Sequence, residues 1–461
     1  MSRKHVPFRS VLSICICKLA RSFLRIIGKG GTALPGKFAL AFDREVLAKA
    51  SEGMHVILVT GTNGKTTTSR ILEAALLNSG KSCLLNRSGA NLLSGITAEF
   101  VCETDRSGNP CHEYAVIECD EGALKQVVPL VKPEIIVVTN LFRDQLDRYG
   151  EVMHTREEIL KGIALAPESV LCLNADCPLT ASLGSEKPNR IHYFGINTAV
   201  GDQQERELSD ARYCIRCGAP LSYRYYTYAH LGSYSCPACG LVRPIPEVAA
   251  EKILGLTEVT SLILLKTGSH TSEIRVGLPA VYNLYNALAA ICAGWVLGLS
   301  ETALSEAVGH TRACFGRLET FDLKGIRIQM ILIKNPAGCS QAVDYVSAIE
   351  EDFDLVFCLN DKTADGHDIS WIWDADLEKL AGNPHRKAVF VSGSRAEDMQ
   401  LRLKYAGIPE NAIRMEKDYP ALLRLLKKES HRVFVLPNYT AMLEIRKAFL
   451  TSADGEEFWK G

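Results

Sequence analysis

The densest chemistry in the sequence is the run Thr60-Gly61-Thr62-Asn63-Gly64-Lys65-Thr66-Thr67-Thr68. It follows a short apolar segment, 56–60, and leads into residues 67–77, which have helical spacing and end before Gly80. Strand, glycine turn and helix start in that order build a phosphate cradle. Gly61 and Gly64 let backbone N–H groups approach phosphate oxygens, and the helix N-terminus adds partial positive charge. Lys65 would reach the β- and γ-phosphates and the Thr66 hydroxyl would ligate Mg²⁺. Thr62, Asn63 and Thr67 complete the expected nucleotide-binding set. Val59 stands where the general Walker pattern has its first glycine.

A second constellation is Cys214-x₂-Cys217 and Cys236-x₂-Cys239, each pair followed by glycine (Gly218, Gly240). Two such knuckles supply four thiolates in the tetrahedral geometry that Zn²⁺ takes. With all four positions filled by sulfur, no site is left for water, so the expected metal is structural. Tyr223, Tyr225, Tyr226 and Tyr228 between the knuckles would also suit a nucleic-acid-binding ribbon, but the segment has few lysines. A third candidate is the polar run 359–374, in which Asp361, Asp365, Asp368, Trp371 and Trp373 follow an apolar segment. Turn and capping roles account for one or two of its acids, not obviously all.

These groups need elements to hold them. Residues 56–60, 82–86, 114–119, 135–139, 170–174 and 191–194 read as buried strands with helical segments between several of them, the rhythm of a doubly wound sheet. Residues 208–243 break that rhythm and read as a small insertion. The parent domain resumes with a hairpin (261–266, 273–276) and a helix over 280–296. A polar stretch, 309–320, reads as an interdomain hinge. Strands at 326–333, 355–359, 388–392 and 433–436 then alternate with helices near 340–350, 395–405, 419–428 and 441–449. The expected organisation is an N-terminal helical extension over 1–50, an ATP-binding α/β domain over 51–316 carrying the insertion, and a C-terminal α/β domain over 317–461.

Length and charge limit the function classes. A chain of 461 residues, 47% hydrophobic and 23% charged, supports two or three buried cores. A formal net charge of −1 opposes a broad grip on nucleic acid. Sixteen cysteines in such a chain are expected to be mostly reduced thiols. Residues 11–20 are apolar after a basic start but are interrupted by Lys18, too short to span a bilayer, and read as an amphipathic helix. The expected location is cytoplasmic.

Gly-Thr-Asn-Gly-Lys-Thr-Thr resembles the nucleotide loop of the Mur ligase superfamily, which includes the folylpolyglutamate synthases. Those enzymes activate a carboxylate as an acyl phosphate that an amine then displaces. The resemblance implies that Glu118, in Ile-Glu-Cys-Asp-Glu-Gly, binds Mg²⁺, with Asp120 and Glu121 as rivals. It implies that Asn283, in Tyr-Asn-Leu-Tyr-Asn286, and Arg317, in Gly-Arg-Leu-Glu319, meet the nucleotide. In the segment 139–150, Gln145 replaces the histidine usual in the family, and Asn174-Ala-Asp176 matches another family segment.

The run 359–374, together with Lys334-Asn335-Pro336-Ala-Gly338, Ser392-Gly393-Ser-Arg395 and Leu436-Pro437-Asn-Tyr439-Thr440-Ala-Met442, resembles the MurT-type synthetase subunits of lipid II isoglutaminyl synthase. The resemblance covers nearly the whole chain, including the zinc insertion. It implies ATP, Mg²⁺ and Zn²⁺ as cofactors, a GatD-like class I glutaminase as partner, and lipid II as substrate, met from the cytoplasmic side of the membrane. The implied reaction converts the α-carboxylate of the stem-peptide D-glutamate to the amide. It also implies that an aspartate of the Asp-Gly-x-Asp motif, Asp365 or Asp368, completes the partner's Cys-His pair, with Asp365 preferred because it opens the motif. An enzyme adding an amino acid, as folylpolyglutamate and muropeptide ligases do, is the alternative.

Overall fold

Every residue but the first of His55–Thr60 (β1) is buried, as a parallel strand covered on both faces requires. The computed structural model describes residues 8–26, 33–86, 90–105, 107–143, 152–186, 188–200, 210–312, 317–323, 325–426 and 432–452. The chain forms two units, Met1–Phe142 with Val152–Thr311, and Arg143–Glu151 with Arg312–Gly461.

The first unit opens with helices α1 (Phe8–Ile26), α2 (Leu34–Phe42) and α3 (Val46–Ala50). After β1 come α4 (Lys65–Asn78), β2 (Cys83–Leu85), α5 (Leu93–Cys102), β3 (Tyr114–Glu118), α6 (Leu124–Val131) and β4 (Ile135–Val138). Then follow α7 (Val152–Ala164), β5 (Val170–Asn174), α8 (Pro178–Ser182) and β6 (Ile191–Ile196). The hairpin β7 (Ser222–Tyr228) and β8 (Leu231–Ser235) precedes β9 (Val248–Leu256), β10 (Ser261–Thr267), β11 (His270–Val276), α9 (Val281–Val296) and α10 (Glu301–His310). The sheet order is β11-β10-β9-β6-β5-β4-β1-β3-β2, parallel from β2 through β9 and antiparallel from there to β11.

β1 lies between β3 and β4, and the chain leaves it toward β2 on one side but returns from β3 to β4 on the other. That reversal opens a crevice at the carboxyl ends of these strands, where ligands bind in such sheets. The insertion sits between two parallel neighbours, β6 and β9, so it interrupts the chain without interrupting the sheet.

The second unit contains β12 (Arg317–Leu323), β13 (Ile326–Ile331), α11 (Pro336–Ser347), β14 (Phe353–Cys358), β15 (Arg386–Ser392) and α12 (Ala396–Tyr405). It ends with β16 (Ile413–Met415), α13 (Tyr419–Leu426), β17 (Arg432–Pro437) and α14 (Tyr439–Ser452). Its sheet order is β12-β13-β17-β14-β15-β16, with only the β12–β13 pair antiparallel. Ile328, Val356, Phe390, Leu422, Val433 and Met442 lie in its buried core.

The expected α/β unit with an inserted four-cysteine ribbon, followed by a second α/β unit, matches this architecture. Part of the expected hinge differs. α10 continues to His310 and β12 begins at Arg317, so regular structure takes up both ends of 309–320. The polar alternation of β12 hides an edge strand, because only one of its sides pairs. Gln145, where the family has a histidine, lies outside the described residues.

Candidate active site

The phosphate loop turns on two left-handed glycines, Gly61 at φ +119° and Gly64 at φ +90°. A Cβ on Gly61 would come within 2.4 Å of Thr139 Oγ1, and one on Gly64 within 2.0 Å of Asn286 Oδ1. Both the conformation and the close approach therefore require glycine. α4 has no side-chain cap and no acid in its first turn, which leaves its N-terminal N–H groups and partial charge facing the loop. Gly64→Ala is expected to weaken ATP binding by at least about tenfold, since strain and displacement of Asn286 act together; titration calorimetry of the folded variant measures it.

The loop is held from behind by the segment after β4. Asn63 N–H donates to Asn140 Oδ1 (2.9 Å), while Thr139 Oγ1 and Asn140 Nδ2 donate to Asn63 O (2.7 and 3.1 Å). The Thr62 hydroxyl accepts from Phe142 N (3.0 Å) and lies 3.2 Å from Phe142 O. Asn283 bonds to Asn286, the residue that lies against Gly64: its Oδ1 accepts from Asn286 Nδ2 (3.2 Å), and its Nδ2 donates to Pro279 O (2.6 Å). Thr67 is half-buried on the first turn of α4.

Three acids gather at the end of β3. Thr66 Oγ1 donates to Glu118 Oε2 at 3.0 Å, and Lys65 Nζ meets Glu121 Oε1 at 2.9 Å and Gly61 O at 2.5 Å. Glu118, Asp120 and Glu121 are all buried. Asn86 fixes the strand end, accepting from Glu118 N (2.8 Å) and donating to Glu118 O (2.9 Å). A hydroxyl and a carboxylate oxygen 3.0 Å apart beside the phosphate loop fit two ligands of one Mg²⁺. Glu121, only a rival at the sequence level, is thus the ion-pair partner of Lys65; its place three residues after Glu118 was the available signal. Asn140, Phe142 and Asn286 lie in segments that the family resemblance marks, but that resemblance assigns no role to these three positions.

The four predicted zinc ligands converge. The sulfurs of Cys214, Cys217, Cys236 and Cys239 lie within 4.8 Å of one another, with two pairs at 3.5 Å. Tetrahedral Zn–S bonds of about 2.3 Å set sulfurs ~3.8 Å apart, so the set fits Zn²⁺. Each knuckle closes in the same way: Gly218 N bonds Cys214 O (2.8 Å) and Gly240 N bonds Cys236 O (3.0 Å), both glycines at positive φ. Backbone N–H groups of Cys239 and Ala238 pointing at its sulfur lower the Cys236 thiol, while the neighbouring thiols raise those of Cys217 and Cys239.

The hairpin between the knuckles packs beside the nucleotide loop. Tyr228 and His230 lie against Phe142, with ring centroids 5.6 and 4.8 Å away. Thr227 Oγ1 lies 2.7 Å from the hydroxyl of Tyr285 on α9, which donates to Asp176 Oδ2 (2.5 Å). Arg243 Nε, Ile196 N and Tyr285 surround the fully buried Asp176 carboxylate, so this matched family position is structural in the described unit. Burial opposes charge on Cys177, yet the imidazole of His230 at 3.4 Å brings its thiol below the usual range, and that of His230 rises in return.

In the second unit, the run 359–374 leaves β14 beside the end of β17. Asn360 bridges the two ends, its N–H donating to Asn438 Oδ1 (3.1 Å) and its Nδ2 to Thr440 Oγ1 (3.0 Å). Asp365 is 3% exposed. Its Oδ1 accepts from Thr440 N at 2.7 Å and its Oδ2 from the Thr440 hydroxyl, tying the loop to the start of α14. Burial pushes the Asp365 carboxyl up against these donors. Asp368 is half-exposed, and its Oδ1 accepts from Ser370 N (2.8 Å). Of the two aspartates, Asp365 is thus buried within the unit and Asp368 is the more open. Glu319 makes a bidentate pair with Arg446, Nη2 donating to Oε1 (3.0 Å) and Nε to Oε2 (3.2 Å), fixing β12 to α14; the Arg317 side chain lies outside the described residues.

Residues 59–217 match the Mur ligase middle domain and 332–442 the MurT ligase C-terminal domain. The chain is 34% identical over 441 residues to the MurT subunit of lipid II isoglutaminyl synthase (glutamine-hydrolyzing) of Streptococcus pneumoniae, covering 95% of this chain and 96% of that protein. It is 34% identical over 449 residues to the Staphylococcus aureus subunit of the same name, covering 97% and 99%. Among solved structures, a pseudomurein peptide ligase type C from Methanothermus fervidus aligns with a TM-score of 0.65 at 20% identity, over 86% of this chain and 78% of that one. MurF ligase from Thermotoga maritima in complex with ADP aligns at 0.61 and 15% identity, over 91% and 85%. These structures share the fold; the full-length relatives go further, and the chain belongs to the MurT family of ATP-dependent, Mur-type ligases.

Proposed function

We propose that the protein is the synthetase subunit of a glutamine-dependent lipid II amidating enzyme. The observation that carries the reading is the match to MurT subunits over nearly the whole of both chains. ATP would lie on the loop 61–64 and the first turn of α4, with Lys65 at its β- and γ-phosphates. Mg²⁺, held by Thr66 and Glu118, would offset charge on the transferring phosphoryl group. The stem-peptide D-glutamate α-carboxylate would take the γ-phosphoryl group to form an acyl phosphate. Ammonia from a GatD-like glutaminase would displace phosphate, giving D-isoglutamine, ADP and phosphate. Asp368 would orient the partner's histidine, fixing its tautomer and stabilising its imidazolium.

The reaction is tested by incubating lipid II with this chain, the glutaminase, glutamine and ATP, then measuring product mass. Replacing OH by NH₂ lowers the mass by about one unit, by the acyl-transfer chemistry; ATP consumption without that change would overturn the reading. Asp368→Asn is expected to cut glutamine-dependent turnover by at least about a hundredfold while leaving turnover with added ammonium salt intact. Asp365→Asn is expected instead to lower the thermal stability of the second unit, because it weakens the tie to Thr440. Equal loss with both nitrogen sources for Asp368→Asn would remove it from the partner's site.

A further inference from the structure

Helix α1 directs several polar groups inward, beside the buried Ile14 and Cys17. Ser10 Oγ donates to Asp43 Oδ2 (2.6 Å), Ser13 Oγ to Ala39 O (2.8 Å) and Lys18 Nζ to Thr104 O (2.5 Å), and Arg21 pairs with Glu99 (3.0 Å). The opposite side carries Leu12, Leu19, Phe23 and Ile26, spaced to form one stripe, with the last three 70%, 62% and 82% exposed. α2 packs against α1 and adds exposed Leu34, Phe38 and Phe42. Two neighbouring helices that each expose large apolar side chains are uncommon on a protein surrounded only by water.

The charge of this region is as uneven as its hydropathy. Residues 1–42 contain eight of the 52 Lys and Arg residues and none of the 53 Asp and Glu. Arg9 and Lys37 are exposed near the apolar residues, and the Arg9 guanidinium donates to the carbonyl of Phe42. Among the described residues no helix is long and apolar enough to cross a membrane. An apolar stripe bordered by basic residues, on a segment without acids of its own, suits the surface of a bilayer, where anionic headgroups meet the charge and acyl tails meet the stripe. A second copy of the same face would bring like charges together.

We propose that the outward face of α1 and α2 docks the protein on an anionic lipid bilayer. The proposal stands on this surface and does not depend on which reaction the active site performs. Flotation of the full-length chain with vesicles tests it, using equal phosphatidylglycerol and phosphatidylcholine, or phosphatidylcholine alone. The protein is expected to float with the anionic vesicles and at least about tenfold less with the neutral ones. Leu19→Glu/Phe23→Glu is expected to lower anionic-vesicle binding by at least about tenfold, with ATP affinity and melting temperature unchanged. If that pair impairs folding, Leu19→Ser/Ile26→Ser replaces it.

Wild-type protein that stays unbound, or a folded variant that floats as well as wild type, would overturn the proposal. So would a variant that turns a dimer into a monomer by light scattering, which makes the face a self-interface. Loss of glutaminase co-purification by the variant without loss of flotation would make it a subunit contact instead.

Discussion

Lys65→Ala is expected to lower ATP-dependent product formation by about a thousandfold, the scale of losing one preorganised charge at a transferring phosphoryl group. Lys65 is the cation that the loop presents at the start of α4, and its ion pair with Glu121 is buried, at 12% and 6% side-chain exposure. Removing the ammonium alone leaves Glu121 in that pocket without its partner, at a cost of about 3 kcal/mol. A loss of activity could therefore come from the fold rather than the chemistry. Lys65→Ala/Glu121→Gln separates the two, since it removes the stranded charge. The double variant is expected to melt close to wild type yet remain inactive in a phosphate-release assay. Recovery of more than about a tenth of the wild-type rate would exclude Lys65 from the phosphoryl-transfer role.

Loss of the zinc centre is expected to disturb a site to which it contributes no ligand. Cys236→Ser, or removal of metal by a chelator, takes away the cross-link that closes the two knuckles, and structural zinc sites of this kind do not keep their fold without metal. The β7–β8 hairpin would then release Phe142 and Tyr285. Phe142 bonds Thr62 of the nucleotide loop, and Tyr285 lies on the helix whose Asn286 backs Gly64. A loss of about 3–5 kcal/mol corresponds to a melting decrease of about 10 °C for a unit of this size. ATP affinity is expected to fall by about tenfold in parallel. Metal content, melting curve and ATP titration on the same sample test the link. A metal-free protein that keeps both its melting temperature and its ATP affinity would show that the ribbon does not support the loop.

Much of this architecture could be read from local pattern. β1, the glycine loop and α4 occupy three consecutive stretches of chain, so apolar run, turn residues and helical period name them without tertiary information. The zinc knuckles are equally local, because each Cys-x₂-Cys pair with its glycine is a self-contained turn. Less was evident where pairing partners are distant. β9 was not expected, since beyond its first residues burial alternates and its identity rests on pairing with β6 and β10. The first part of β12 reads in the sequence as hinge, because only one edge of it pairs and its sequence is polar.

By itself, the sequence determined which chemistry the chain can do: a phosphate loop with Lys65 and Thr66, four thiolates for a metal, and an acidic run after a strand. Those assignments depend on residue type and short spacing, which one stretch of chain contains. Only the tertiary structure decided how the groups are used. It paired Lys65 with Glu121, set the hairpin between the cysteine knuckles against Phe142, buried Asp365 under Thr440 while leaving Asp368 half-exposed, and left an apolar stripe of α1 uncovered. Each of these depends on residues tens to hundreds of positions apart or on which face of an element is covered, and packing settles both.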